Sequence, residues 1–249
     1  MKYKTLLVSG CSFTENQGTW GFQLAPTYNL DLINLACKGA GNQHIAWSVI
    51  SFLEKNNIDP ETTLIGIMWS HPYRTDLVFE RNPEYKDQSI FKYNYDSYNS
   101  LVRQSDLLEK HEFSQNRAVQ ASYLQINGNR LASTFKTWSL KTMMTAYLKD
   151  KKFTFFQTAF LNYLTQSSVV KGIPYLQHQL RYQYLQDLEN LGLNHNLHNW
   201  LNLQETEYLG EYAFHKRQMS SDGYHPSEEG YKSWTEKILI PNLEKMKIL

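Results

Sequence analysis

The sequence predicts an α/β protein, with a parallel sheet covered by helices on both sides. Three observations predict it. Apolar runs of strand length each end at a turn residue, and amphipathic segments of helical spacing lie between them. One run, Thr62 to Trp69, is apolar almost throughout, as a strand covered on both faces must be. Strand–helix–strand repetition at this spacing favours parallel pairing through right-handed crossovers.

In chain order, residues 3–9 alternate, then run apolar, and stop at Gly10, which reads as a buried strand and a turn. Leu30 to Leu35 reads as a second strand, ending near Gly39 and Gly41. Asn42 is placed to cap a helix over roughly 43–56, where Ile45, Ala46, Val49, Ile50 and Leu53 recur at helical spacing. Asp59-Pro60 breaks that helix, and Thr62 to Trp69 is the third strand. Leu131 to Leu148 reads as a helix and Phe153 to Gln157 as a fourth strand. Gln179 to Leu191 reads as a further helix, ended by Gly192. Ser227, Glu228 and Glu229 start the last helix, which runs to about 239 and is interrupted or ended by Pro241. Ser12, Gly39 and Ser70 each fall just past the end of a strand. In parallel sheets the chemistry lies beyond the carboxyl ends, so the three are expected at one edge.

Residues 75–130 fit this scheme poorly. They are polar and carry Tyr85, Phe91, Tyr93, Tyr95 and Tyr98. A structureless loop of that length is improbable in a compact domain. The expectation is a single domain over 1–249, with a Tyr-rich insertion at about 75–130 that has short elements of its own and lies beside or over the site.

Composition excludes several classes. The 249 residues carry a net charge of +1, with no clustered basic face, so no nucleic-acid partner is expected. Two cysteines, Cys11 and Cys37, give neither a disulfide framework nor a zinc pattern. His195 and His198 have a His-x-x-His spacing, but no carboxylate or thiol set completes a metal site. There is no Gly-x-x-x-x-Gly-Lys loop and no Gly-x-Gly-x-x-Gly turn, so no cofactor is expected. The apolar stretch after Lys2 and Lys4 is too short for a signal-peptide core, and no run reaches membrane-span length. These features predict a soluble, cytoplasmic protein without a membrane partner. Nothing in the composition fixes its oligomeric state.

The most specific signal is a pair of short segments at opposite ends. Ser12 stands in Gly10-Cys11-Ser12-Phe13-Thr14, directly after the first strand. Asp222-Gly223-Tyr224-His225-Pro226-Ser227 comes near the C-terminus. Alone, Ser12 is an ordinary turn serine or helix cap, and Asp222 with His225 an ordinary capped loop. Together they match what an ester carbonyl requires: a hydroxyl nucleophile, an imidazole that takes its proton, and a carboxylate that fixes the imidazole's tautomer. Cys11 beside Ser12 reads as a small buried filler, and no separate partner supports a cysteine nucleophile. The mid-chain Gly-x-Ser-x-Gly elbow of the classical esterases is absent.

These segments resemble the SGNH or GDSL hydrolases. Their first motif, a Gly-x-Ser nucleophile, is matched by Gly10-Cys11-Ser12, with Cys11 at the middle position where an aspartate is usual. The second, holding a glycine whose N–H donates to the oxyanion, is matched at Gly39 in Asn34-Leu35-Ala36-Cys37-Lys38-Gly39-Ala40-Gly41-Asn42. The last, Asp-x-x-His, is matched by Asp222 to His225. The resemblance implies a three-layer α/β/α sandwich with a flavodoxin-like parallel sheet. It also implies hydrolysis of carboxylic esters, often acyl groups such as acetyl on carbohydrates.

The third motif departs. Where Gly-x-Asn-Asp supplies an oxyanion asparagine, this chain reads Met68-Trp69-Ser70-His71-Pro72. Ser70 is then a weaker donor, or His71 or another group from 71–76 replaces it. Asn42 either caps its helix, the favoured reading, or points into the oxyanion hole. Two rival functions use the same residues: an acyltransferase with an alcohol or sugar acceptor, and a non-catalytic carbohydrate-binding or structural protein.

Overall fold

The computed structural model describes residues 2–72, 74–78, 91–96, 130–160, 183–193, 199–201 and 203–249. Four strands form a parallel sheet: β1 (Thr5–Ser9), β2 (Asp31–Asn34), β3 (Thr63–Trp69) and β6 (Thr154–Ala159), in the order β2-β1-β3-β6. Register pairs Leu7 with Ile33 on one side and with Ile65 on the other, and Ile65 with Phe155. β3 is buried at every position, which accounts for its unbroken apolar sequence.

The helices fall into two layers. On one face lie α3 (Asn42–Lys55) and α4 (Arg130–Asp150). Ser9 of β1 donates to the Ile45 carbonyl of α3, and Gln157 of β6 donates to Thr145 of α4. On the other face, α2 (Trp20–Thr27) packs through Trp20 against Phe156 of β6, their rings 5.8 Å apart. Behind α2 lies a C-terminal helical run of α7 (Glu228–Trp234), a π-helical stretch Thr235–Leu239 and α8 (Ile240–Lys245). The remaining described helices are short: α1 (Ser12–Glu15), α5 (Gln183–Asn190), α6 (Leu209–His215) and a 3-10 turn at Glu205–Glu207. The architecture is thus the expected α/β/α sandwich. Its core joins Leu6, Leu7, Val8, Ile65, Ile67, Phe156 and Trp234, all sealed from solvent. Each such side chain contributes about 1.5–3 kcal/mol by leaving water.

Three expectations need correction. The last helix does not stop near 239, because Pro241 sits in the opening turn of α8 and the helical path continues to Lys245. Proline there has no N–H to give, and the preceding turn widens so that Ile240 N–H reaches the Thr235 carbonyl, which removes the clash a proline makes in a regular helix. The second correction concerns α2, the first crossover helix, which was not foreseen. The third concerns Asn42, which is the first residue of α3 and whose side chain does not cap it.

In the expected insertion, β4 (Arg74–Val78) and β5 (Phe91–Asp96) form a two-stranded antiparallel sheet. The rest of 75–130 up to Arg130, with Tyr85 and Tyr98, lies outside the described residues, as do His195, His198 and the start of the Gln179–Leu191 segment. Among the described residues no helix is long and apolar enough to cross a membrane.

One core feature is unusual. Lys141 of α4 is completely buried. Its ammonium lies 4.6 Å from the ring centre of Trp200, 5.2 Å from Tyr184 and 5.9 Å from Trp69. Burial pulls its pKa well below the ordinary lysine value, because the charged ammonium loses its hydration there.

Candidate active site

The sheet order places a reversal beside β1. The chain leaves β1 for β2 on one side and returns to β3 on the other, so a crevice opens past the carboxyl ends of these strands. Ser12, Gly39 and Ser70 follow β1, β2 and β3 respectively, as expected.

Ser12 is the first residue of α1, a single turn that begins three residues past the end of β1. Its side chain is mostly buried, and its Oγ lies 2.9 Å from Nε2 of His225. On the far side of the ring, Nδ1 lies 2.7 Å from Oδ2 of Asp222. The two segments separated by the length of the chain therefore meet in one hydrogen-bonded row. With Nδ1–H donating to Asp222, the lone pair of Nε2 faces the Ser12 hydroxyl, the tautomer a general base requires.

A tight hairpin holds the base. Ser220 N–H donates to the His225 carbonyl and Ser227 N–H to the Gln218 carbonyl, at 2.8 and 2.7 Å. Gly223 turns the loop with φ +65°, a conformation that costs glycine little. Ser227 caps α7 by accepting from Gly230 N–H, so the hairpin is fixed to the helical layer as the sequence predicts. The imidazole packs 4.8 Å from the Phe13 ring and 4.9 Å from Tyr224.

Asp222 gathers four donors: the Ser220 hydroxyl, the N–H groups of Tyr224 and His225, and the His225 ring. Partial burial works against its charge, but these hydrogen bonds outweigh it and hold the carboxyl below the usual carboxylate range. It is therefore ionised at neutral pH and able to stabilise an imidazolium.

The second motif is tied to the first by Cys37 N–H, which donates to the Gly10 carbonyl, and by Asn34, whose amide donates to the carbonyls of Thr14 and Glu15. Gly39 has φ +80° in the turn that Ala40 N–H closes onto Cys37. The N–H groups of Ser12 and Gly39 donate to no backbone carbonyl among the described residues.

The third motif is tied to the second by Asn42. Its Oδ1 accepts from Ser70 N–H at 2.8 Å, and its Nδ2 reaches the His71 carbonyl and Thr137 Oγ1 at 3.4 and 3.3 Å. Asn42 is thus spent on positioning the Ser70–His71 backbone. Ser70 Oγ is buried and has no partner among the described residues. His71 is half-buried, and its carbonyl serves Asn42. Cys11 is fully buried as a free thiol.

The residue that the sequence reading missed is Asp76. Its carboxylate takes the cap that was assigned to Asn42, accepting from Gly41 N–H at 2.7 Å and His44 N–H at 2.8 Å. Burial pushes its carboxyl up from the ordinary value, against the pull of those two donors and of the His44 and Lys136 charges. No local signal could have found it, because Asp76 stands 35 positions from Gly41.

No family model matches the chain, and no curated protein matches it. Solved structures do. TesA aligns over 98% of this chain and 99% of its own, with 11% identity and a TM-score of 0.50. A Bacillus subtilis protein, YxiM, aligns over all of this chain but 58% of its own, with 13% identity and a TM-score of 0.50. A member of the lipolytic G-D-S-L family from Veillonella parvula covers 95% of this chain and 97% of its own, with 11% identity and a TM-score of 0.46. At such identities the likeness to TesA and YxiM speaks for a shared fold, the three-layer sandwich with a parallel sheet.

Proposed function

We propose that the chain is a serine ester hydrolase of the SGNH type that cleaves small acyl esters through an acyl-enzyme. The observation that carries this reading is the row Ser12 Oγ–His225 Nε2–His225 Nδ1–Asp222, with contacts of 2.9 and 2.7 Å across 213 residues of chain. A random serine–histidine contact has no need of a carboxylate on the far ring nitrogen, nor of four donors fixing that carboxylate.

Ser12 Oγ attacks the ester carbonyl carbon while its proton passes to His225 Nε2. The carbonyl π electrons move onto oxygen, where the N–H groups of Ser12 and Gly39 receive the charge, joined by Ser70 Oγ. Collapse breaks the carbon–alkoxy bond, and His225 returns the proton to the leaving alcohol. Water then repeats the sequence, its proton taken by His225 and its oxygen bound to the acyl carbon, until Ser12 is released with its hydrogen restored.

The favoured substrate is an acetyl ester on a carbohydrate. The resemblance of the motifs and the tyrosines of the 75–130 segment support this choice. The test is acetate release from acetylated glycans, alongside labelling by a fluorophosphonate probe. Wild type is expected to release acetate and to be labelled. Ser12→Ala should lose labelling and at least about 10⁴-fold in kcat. Cleavage of simple aryl acetates without any release from glycans would remove the carbohydrate. Equal turnover by Ser12→Ala would remove the mechanism.

A further inference from the structure

We propose that Asp76 is a positioning residue for the oxyanion loop, holding the Gly39–Gly41 turn in the register that aims the Gly39 N–H at the reacting carbonyl. The proposal rests on the esterase reading above.

Three observations carry it. First, the Asp76 carboxylate is only 4% exposed and spends one oxygen on each of two amides, Gly41 and His44. Those amides flank the first turn of α3, whose N-terminus favours a negative charge. Second, the fit is close. A Cβ at Gly41 would lie 2.7 Å from Oδ2 and 2.8 Å from Oδ1 of Asp76, so the glycine exists there to admit the carboxylate. Gly41 itself has φ −88°, which any residue adopts, so contact and not backbone freedom explains it. Third, the bracket is built from the other side of the crevice. Asp76 is on β4, on the chain that leaves the third motif, whereas Gly39 is on the chain that leaves β2. Together with the Asn42–Ser70 bond, it clamps the second and third motifs to each other at two points. Asp76 touches no reacting atom; it acts through Gly41 and the turn that holds Gly39. A displacement of about 1 Å at a reacting group can cost on the order of 100-fold in rate.

The experiment compares wild type with Asp76→Asn and Gly41→Ala, with p-nitrophenyl acetate and a fluorophosphonate probe as reagents and near-UV circular dichroism as the check on folding. Asparagine keeps the shape but offers one acceptor and turns an NH₂ toward the second amide. Alanine at 41 evicts the carboxylate and leaves Asp76 itself unaltered. Both variants are expected to lose about 10- to 100-fold in kcat, with KM within about twofold and probe labelling slowed in step. A merely structural role would lower the melting temperature and leave kcat of the folded fraction unchanged. That result, in either folded variant, overturns the proposal. If Asp76→Asn does not fold, Gly41→Ala decides by the same readout. Failure of the esterase reading shows elsewhere, as a wild type that is neither labelled nor active, and takes the proposal with it.

Discussion

Ser70 is the residue at which the site departs from the motif it resembles, and its hydroxyl is an expensive feature. A buried hydroxyl without a partner costs about 1–3 kcal/mol, and Ser70 Oγ is buried in that way among the described residues. The cost has a use if the atom donates to an oxyanion that is present only during reaction. Ser70→Ala should then lower kcat on aryl acetates by roughly 10²-fold, with a melting temperature equal to or above that of wild type. An unchanged kcat would assign the hydroxyl no part in the hole. At this scale the sequence was a good guide to groups that act on each other through fixed spacing. Asp222, His225 and Ser227 lie within one short loop, and their hydrogen bonds follow from it. Asn42 was misread because capping chemistry is local, whereas its competitor for the helix end, Asp76, arrives from a strand far along the chain.

At the scale of elements, α4 carries a fully buried lysine whose charged form burial penalises. Lys141 binds its proton weakly in the folded protein because burial penalises the ammonium. The unfolded chain binds it up to about pH 10.4. Between the two pKa values the unfolded state holds more protons, so stability rises with pH there, and the penalty is fully present below the folded pKa. Relative to wild type, Lys141→Met should therefore be favoured most at low pH, and that relative advantage should shrink as pH approaches about 10. Urea midpoints of both proteins across that range test this, and a constant difference would show that Lys141 does not titrate as described. Strands and long helices were legible because their periodicity is set by burial. α2 was not, because its eight residues hold Gly21 and Pro26, and its burial comes from packing Trp20 against Phe156. The turn at Pro241 was illegible for a related reason. A proline normally ends a helix, and here a wider turn absorbs it.

For the molecule as a whole, the proposed catalytic row exists only when the sheet has closed and the last helical layer has docked. Labelling of Ser12 should consequently vanish with urea at the same midpoint as tryptophan fluorescence, since Trp20, Trp69 and Trp234 report the core that brings the ends together. Labelling that outlasts the loss of fluorescence would mean a site that forms without the fold. Parallel pairing was readable from strand spacing, and the gathering of Ser12, Gly39 and Ser70 at one edge follows from it, whereas the order β2-β1-β3-β6 came only with the structure. The clamps between the three motifs were not readable, because each joins segments that no sequence window contains together.

The order of the chain has a consequence during synthesis. On the proposed chemistry, the ribosome delivers the hydroxyl 213 residues before the ring that activates it. Until that hairpin has emerged and found its place, the growing polypeptide carries only an unactivated alcohol, and a prematurely terminated copy lacks the base its nucleophile needs.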